Sequence, residues 1–231
     1  MNKQTIIIAF LFITSGFLYY NLLVNPEITK SVFVARVIDG DTFEDNNGQR
    51  YRLKGINTPE TNEPFYEEAK EFVIQNIENK SIEINSYGID KYQRILAYSK
   101  INKDLLEEGL AYLYYYGTDS NYNELKKAEE GARISEVGLW KKSPNANCIE
   151  LINLKFKESP KRCTNNEQLV LKNSCNIDLN IIIKDDATHI YKEKILQNSI
   201  FIKNFSCIWN NAGDTLYVRD ELGLLIFYRY K

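Results

Sequence analysis

Three short segments of this chain carry side chains whose types and spacing suit the hydrolysis of a phosphodiester. Val37-Ile38-Asp39-Gly40-Asp41-Thr42 runs from strand-like residues into an acidic turn. Tyr51-Arg52-Leu53-Lys54-Gly55-Ile56 leads into Asn57-Thr58-Pro59-Glu60, which places an amide, a hydroxyl and a carboxylate close together. Asp90-Lys91-Tyr92-Gln93-Arg94 follows. Folded together, they would bring oxygen donors for a hard cation, a free carboxylate and two guanidinium groups into one pocket. Oxygen donors suit a hard divalent cation. A carboxylate within reach of water can take its proton, and guanidiniums pair bidentately with phosphate oxygens. The chain has a single histidine, His189, in the strand-like run Thr188-His189-Ile190-Tyr191. Chemistry in the N-terminal half therefore falls to carboxylates and arginines.

The patterning around these groups predicts the scaffold that positions them. Val32, Val34, Val37, Phe33 and Phe43 suggest strands, Asn46-Asn47-Gly48 is a hairpin signal, and Tyr51 to Ile56 is the return strand. Pro64 opens a helix through about Asn79, with Phe65, Ala69, Phe72, Val73 and Ile77 on one face. Ser81–Asn85 and Ile95–Ile101 read as strands, Lys103–Leu110 and Asn121–Val137 as helices, and Gly138-Leu139-Trp140 closes the unit. Short strands with three interspersed helices predict a small α+β barrel over residues 31–144. Lys142-Ser143-Pro144-Asn145 reads as a boundary and residues 145–164 as a linker. Beyond it, short β-rich runs around Leu169, Ile181, Ile200, Leu216 and Leu224 alternate with turn residues, as in an all-β sandwich over 165–231.

Charge narrows the partners. Residues 31–144 hold 15 basic and 20 acidic side chains, whereas 145–231 hold 12 and 10. The acidic barrel lacks the basic footprint of a general DNA-coating protein, so contact with nucleic acid must be local. Thr5 to Val24 carries no charge and is long enough to cross a bilayer as a helix. With residues 25–30 as spacer, it reads as a membrane anchor that leaves both domains outside the cytoplasm. A cleaved signal peptide, giving a secreted protein, is the alternative. Cys148, Cys163, Cys175 and Cys207 fit an oxidising compartment and allow three disulfide pairings. No C-x-x-C spacing points to zinc.

The blocks Val37–Thr42, Arg52 with Asn57-Thr58-Pro59-Glu60, Asp90–Arg94 with Leu96-Ala97-Tyr98, Glu108-Gly109-Leu110-Ala111 and Gly138-Leu139-Trp140 stand in the order of the staphylococcal nuclease family. The chain resembles that family across roughly residues 31–141. The resemblance implies a five-stranded OB-type barrel with three helices. It implies a calcium site at Asp41, Asn57 and the Thr58 carbonyl, a general base at Glu60, and a phosphate clamp at Arg52 and Arg94. Lys91 and Tyr92 match positions that contact a terminal phosphate. Tyr112, Tyr114, Tyr115 and Tyr116 lie where an aromatic can stack on a base, with Tyr115 taken as the candidate. Two positions depart from the family's pattern: Asn57 stands where a second aspartate is expected, and Gln93 where a glycine is expected.

Farther on, Leu169-Val170-Leu171-Lys172-Asn173, Ile208-Trp209-Asn210-Asn211-Ala212-Gly213-Asp214-Thr215-Leu216-Tyr217 and Arg219-Asp220-Glu221-Leu222-Gly223 resemble the lamin tail domain. That resemblance implies an immunoglobulin-like sandwich of unknown partner and no activity of its own. The whole reads as a calcium-dependent nuclease for single-stranded DNA or RNA, giving 3′-phosphate ends. The alternative is a nucleic-acid- or protein-binding adaptor on the same barrel, a class that loses the arginines or the base.

Overall fold

The computed structural model describes residues 28–114, 120–156, 167–187, 189–210 and 213–230. The Thr5–Val24 segment lies outside them, as do Tyr115, Tyr116 and Cys163. No helix among the described residues is long and apolar enough to cross a membrane.

A closed five-stranded barrel forms first: β1 (Ile28–Val37), β2 (Thr42–Asp45), β3 (Arg50–Leu53), β5 (Ser81–Ile89) and β6 (Ile95–Tyr98), in the order β1-β2-β3-β6-β5. Antiparallel pairs make most of it, and β3 closes it by running parallel to β6. Val32 and Val34 point inward, then a register irregularity before Arg36 lets Val37 resume the inward series. The β2–β3 turn follows its sequence: Gly48 takes a φ of 78°, and Asp45 Oδ1 accepts from the Asn47 and Gln49 amides. Two short strands, β4 (Ile56–Asn57) and β7 (Tyr112–Leu113), pair beside the barrel.

Helices α1 (Tyr66–Ile77), α2 (Lys100–Glu107) and α3 (Ser120–Ile134) flank it. The expected start of α2 was too late. Ile101 belongs to the helix rather than to β6, because Ser99 N donates to Asn102 Oδ1 at 3.0 Å and starts the turn. Gly109, just past α2, has φ of 64° and faces Gly138, where a Cβ would sit 2.4 Å from the Gly109 carbonyl oxygen. Two glycines there allow the closing segment to lie against the helix end, with Leu139 N donating to Gly109 O at 2.8 Å.

The second unit is a sandwich of two antiparallel sheets. One has the order β11-β10-β13-β14, from β10 (Leu179–Lys184), β11 (Ile190–Ile195), β13 (Asp214–Arg219) and β14 (Leu224–Tyr230). The other has the order β12-β9-β8, from β8 (Ile149–Lys155), β9 (Glu167–Asn173) and β12 (Ile200–Phe205). Leu169, Leu171, Ile181, Ile183, Leu216 and Val218 meet in its core. Two boundaries need correction. Residues 149–155 are not linker but a sandwich strand, paired with β9. Residues 28–30 are not spacer but the start of β1, paired with β5. Cys148 bonds Cys175, which pins the start of β8 beside the end of β9, and Cys207 is also disulfide-bonded.

A third apolar cluster joins the two units. Tyr112, Ala132, Leu139 and Trp140 from the barrel meet Tyr217 and Leu224 from the sandwich, with Phe65 and Phe227 packed alongside. The Tyr112 and Tyr217 rings lie 4.6 Å apart. Around this cluster run polar ties: Arg229 to Glu129, Arg219 Nη1 to the Leu139 carbonyl, and Ser143 Oγ to Asp220 Oδ2 at 2.7 Å.

Candidate active site

The turn between β1 and β2 forms one side of an open cleft. Asp39 caps that turn by accepting from the Asp41 amide at 3.0 Å. Burial, and then the neighbouring Asp41 charge, push its carboxyl up to about 6. Gly40 has no room for a side chain, since a Cβ would meet Thr58 Oγ1 at 2.7 Å. That close approach lets the Thr58 amide and hydroxyl both donate to Asp41 Oδ2, at 3.1 and 3.2 Å. Asp41 Oδ1 accepts from Thr42 Oγ1 at 3.1 Å and pairs with Arg52 Nε at 3.0 Å.

Arg52 reaches from β3 to more than Asp41. Its Nη2 donates to Asn57 Oδ1, and its Nη1 to the Leu53 carbonyl. One guanidinium therefore joins the side-chain oxygens of Asp41 and Asn57. The other end of the Asn57 amide, Nδ2, donates to the carbonyl of Asp186 in the sandwich at 2.8 Å. Glu60 is exposed on the loop that follows, and its backbone N–H donates to Glu63 Oε2 at 2.6 Å.

The β5–β6 turn forms the facing side. Asp90 accepts from the amides of Tyr92 and Arg94, both at 2.9 Å, and from Arg94 Nε at 2.8 Å. Burial alone would raise its carboxyl, but these bonds from Arg94 and Tyr92 outweigh it and hold the group below the usual carboxylate range. Arg94 Nη1 also donates to Thr42 Oγ1 at 3.3 Å, which links the two sides. Gln93 adopts φ of 63°, the left-handed conformation for which a glycine is the ordinary choice. Lys91 Nζ and Arg94 Cζ lie 4.9 and 5.3 Å from the centre of the exposed Tyr92 ring.

Asp39, Asp41, Arg52, Asn57, Glu60, Asp90, Lys91, Tyr92 and Arg94 all line one cleft of about 630 Å³, together with Tyr114 and Ala187. Of the residues singled out from sequence, Thr58 stands behind it, buried with its amide and hydroxyl committed to Asp41. Tyr112 belongs to the joint between the two units rather than to the cleft. Tyr115 lies outside the described residues, next to the cleft-lining Tyr114. Sequence reasoning missed the support given by Asp90, Glu63 and the Lys184–Ala187 segment. The i,i+4 spacing of Asp90 and Arg94 was a usable signal, but nothing local could have coupled Asn57 to a carbonyl 129 residues away.

Residues 50–142 match the family described as staphylococcal nuclease homologue. The thermonuclease of Staphylococcus intermedius is 32% identical over 130 residues, which span 49% of this chain and 77% of that protein. The chain belongs to the staphylococcal nuclease family. An uncharacterized endonuclease of Haemophilus influenzae is 32% identical over 117 residues, 46% of this chain and 64% of that protein. An uncharacterized 38.1 kDa protein of Capnoides sempervirens is 36% identical over 115 residues, 47% of this chain and only 33% of that protein. The family and its nuclease-named members make the barrel a phosphodiester-hydrolysing nuclease domain. The matches cover about half of this chain, so the sandwich draws no function from them.

Proposed function

We propose that this nuclease cleaves single-stranded DNA or RNA in a calcium-dependent reaction that leaves 3′-phosphate ends. The convergence of Asp41, Arg52, Asn57, Glu60 and Arg94 on one open cleft of a family barrel carries the reading. A water oxygen bonds to phosphorus as the bond to the 5′ oxygen breaks. Glu60 takes the proton of that water, a role open to an exposed carboxylate at the cleft, and the departing 5′ oxygen takes a proton from solvent. Arg52 and Arg94 donate to the non-bridging oxygens and stabilise the charge that grows there in the transition state. Each guanidinium is already oriented by a carboxylate, Asp41 or Asp90. Lys91 and Tyr92 contact a terminal phosphate at the rim, and Tyr115 stacks on a base.

The donor set suits calcium. Asp41 offers a carboxylate, Asn57 an amide oxygen and Thr58 a carbonyl, all hard oxygens, and the first two already converge on one cationic group, the Arg52 guanidinium. Held by these donors, the ion would supply positive charge to offset the negative charge that grows at phosphorus. Only one of its protein donors is anionic, so binding is weak, with half-saturation on the order of the 10⁻⁴–10⁻³ M of extracellular sites. Cleavage of a labelled single-stranded oligonucleotide by the purified full chain tests this. Activity is expected to stop in chelator and return with calcium in that range. Persistence in chelator, or 3′-hydroxyl products, refutes it. Asn57→Asp is expected to lower the half-saturating calcium. An unchanged value removes Asn57 from the metal shell.

The uncharged Thr5–Val24 run supports an anchor that leaves both domains outside the cytoplasm. Protection of both domains from protease added to intact cells contradicts it. The sandwich supports a lamin-tail-like module in its two antiparallel sheets.

A further inference from the structure

We infer that the sandwich is part of the nuclease's catalytic centre, and that Lys184 is a positioning residue for the loop that carries Asn57 and Glu60. The inference rests on the roles proposed above for those two residues. Between β4 and α1 the chain has no regular structure. Two non-glycine residues of this stretch, Asn62 and Phe65, hold left-handed φ values of 72° and 70°. Such conformations persist only when the surroundings over-determine them. Asp41 of the barrel holds Thr58 at the start of this loop, and the sandwich reaches the rest of it through Lys184 beside Glu63 and Arg219 beside the Phe65 ring.

Two contacts secure the loop, one near each end. Asn57 Nδ2 donates to the Asp186 carbonyl at 2.8 Å while its Oδ1 accepts from Arg52. Glu63 Oε2 accepts from the Glu60 backbone N–H at 2.6 Å and from Lys184 Nζ at 3.3 Å. The Lys184 and Glu63 side chains are only 5% and 7% exposed, so solvent screens their attraction little. Lys184 Nζ also donates to the carbonyl of Ala187, a cleft-lining residue, at 3.1 Å. The segment is itself rigid. The Asp186 carboxylate accepts from Thr215 Oγ1 and Tyr217 OH, both at 3.0 Å, and its N–H donates to Asp214 Oδ1 at 3.1 Å. The line from β10 through Lys184 and Glu63 ends on the peptide of Glu60.

The same geometry accounts for Asn57. An aspartate there would present oxygen to the Asp186 carbonyl and could not donate. The departure from the family's pattern meets the need of a second domain, because only the amide can accept from Arg52 and donate to Asp186 at once.

Turnover of the purified full chain on a single-stranded oligonucleotide, at saturating calcium, separates positioning from plain stability. Lys184→Met is expected to lower kcat by about tenfold or more, since small misplacement of reacting groups is costly, with KM within about twofold of wild type. Lys184→Arg restores most of kcat. Glu63→Ala resembles Lys184→Met, and the double variant is no slower than the slower single, because both act through one link. Asp220→Ala, which removes ties to the Ser143–Asn145 segment away from the cleft, lowers the melting temperature but keeps kcat. Wild-type kcat in folded Lys184→Met overturns the inference. So do losses that multiply in the double variant, or an equal kcat loss in Asp220→Ala. If Lys184→Met does not fold, Lys184→Gln takes its place in the same cycle. Glu60→Gln in the same assay keeps the two readings apart: full turnover there refutes the assigned base, whereas a dead Glu60→Gln beside normal Lys184 variants refutes the positioning alone.

Discussion

Arg94 and Arg52 face the same cleft with supports of different origin. Arg94 is held by Asp90, four residues earlier, and by Thr42, so its whole setting lies within the barrel. Arg52 is held by Asp41 and Asn57, and Asn57 is held in turn by the sandwich. The loop beyond Asn57, with Glu60, is likewise tied to the sandwich through Glu63 and Lys184. One wall is therefore a local device that any barrel of this family could build. The other depends on how a second domain docks. Changes within the first wall should act on chemistry with little effect on docking, whereas changes in the joint should act first on stability.

The largest effect should come from the self-contained wall. Arg94→Ala is expected to lower turnover about 10²-fold or more, the usual loss for one charged donor at a transition state. Asp90→Ala leaves the guanidinium present but loose, and should cost less than Arg94→Ala. Steady-state kinetics on both variants checks the order, and an equal loss would mean that Asp90 does more than orient Arg94. In the joint, Arg229→Met strips a partner from Glu129, whose side chain is 2% exposed. Breaking a buried pair from one side costs about 3 kcal/mol, which denaturant unfolding would register. A loss below about 1 kcal/mol would put this pair with exposed bridges and weaken the case for a tightly docked sandwich.

A smaller effect concerns pH. Burial first, with help from Asp214, raises the Asp186 carboxyl from an ordinary value of 3.8 to about 6, against the pull of Arg229. A carboxyl raised on folding binds its proton more tightly in the folded chain. Its contribution to stability is full below about pH 4 and is lost as pH rises through about 6. Asp186→Asn, which mimics the protonated group, should match wild type near pH 4 and exceed it in stability by up to about 3 kcal/mol near pH 8. A constant difference between the two proteins from pH 4 to 8 would contradict this.

The turns were legible in the sequence because their causes are local: Asp39 caps its own turn and Gly48 turns the β2–β3 hairpin. The i,i+4 spacing of Asp90 and Arg94 in the first wall was a local signal too, though it was not used. Less of the second wall was legible. Asn57 showed only as a departure from an expected aspartate, because its partner carbonyl belongs to another domain. Tyr112 looked like a possible stacking ring, yet the sandwich covers it and makes it core. Strand β8 was missed for a different reason. Its register slips between Leu151 and Asn153, so Ile152 is left half exposed and the alternation that marks a strand is broken. Gln93 showed only as a departure from an expected glycine, and it does adopt the left-handed conformation the turn requires.

The central claim is that this cleft hydrolyses phosphodiesters with Glu60 as base between two oriented arginines. Single-turnover cleavage of a single-stranded oligonucleotide by the purified full chain, wild type against Glu60→Gln at saturating calcium, tests it most directly. A neutral amide at this position keeps the shape and removes the base. The account predicts a rate at least about 10²-fold lower, with oligonucleotide affinity close to wild type. A Glu60→Gln protein that cleaves at nearly the wild-type rate would contradict it.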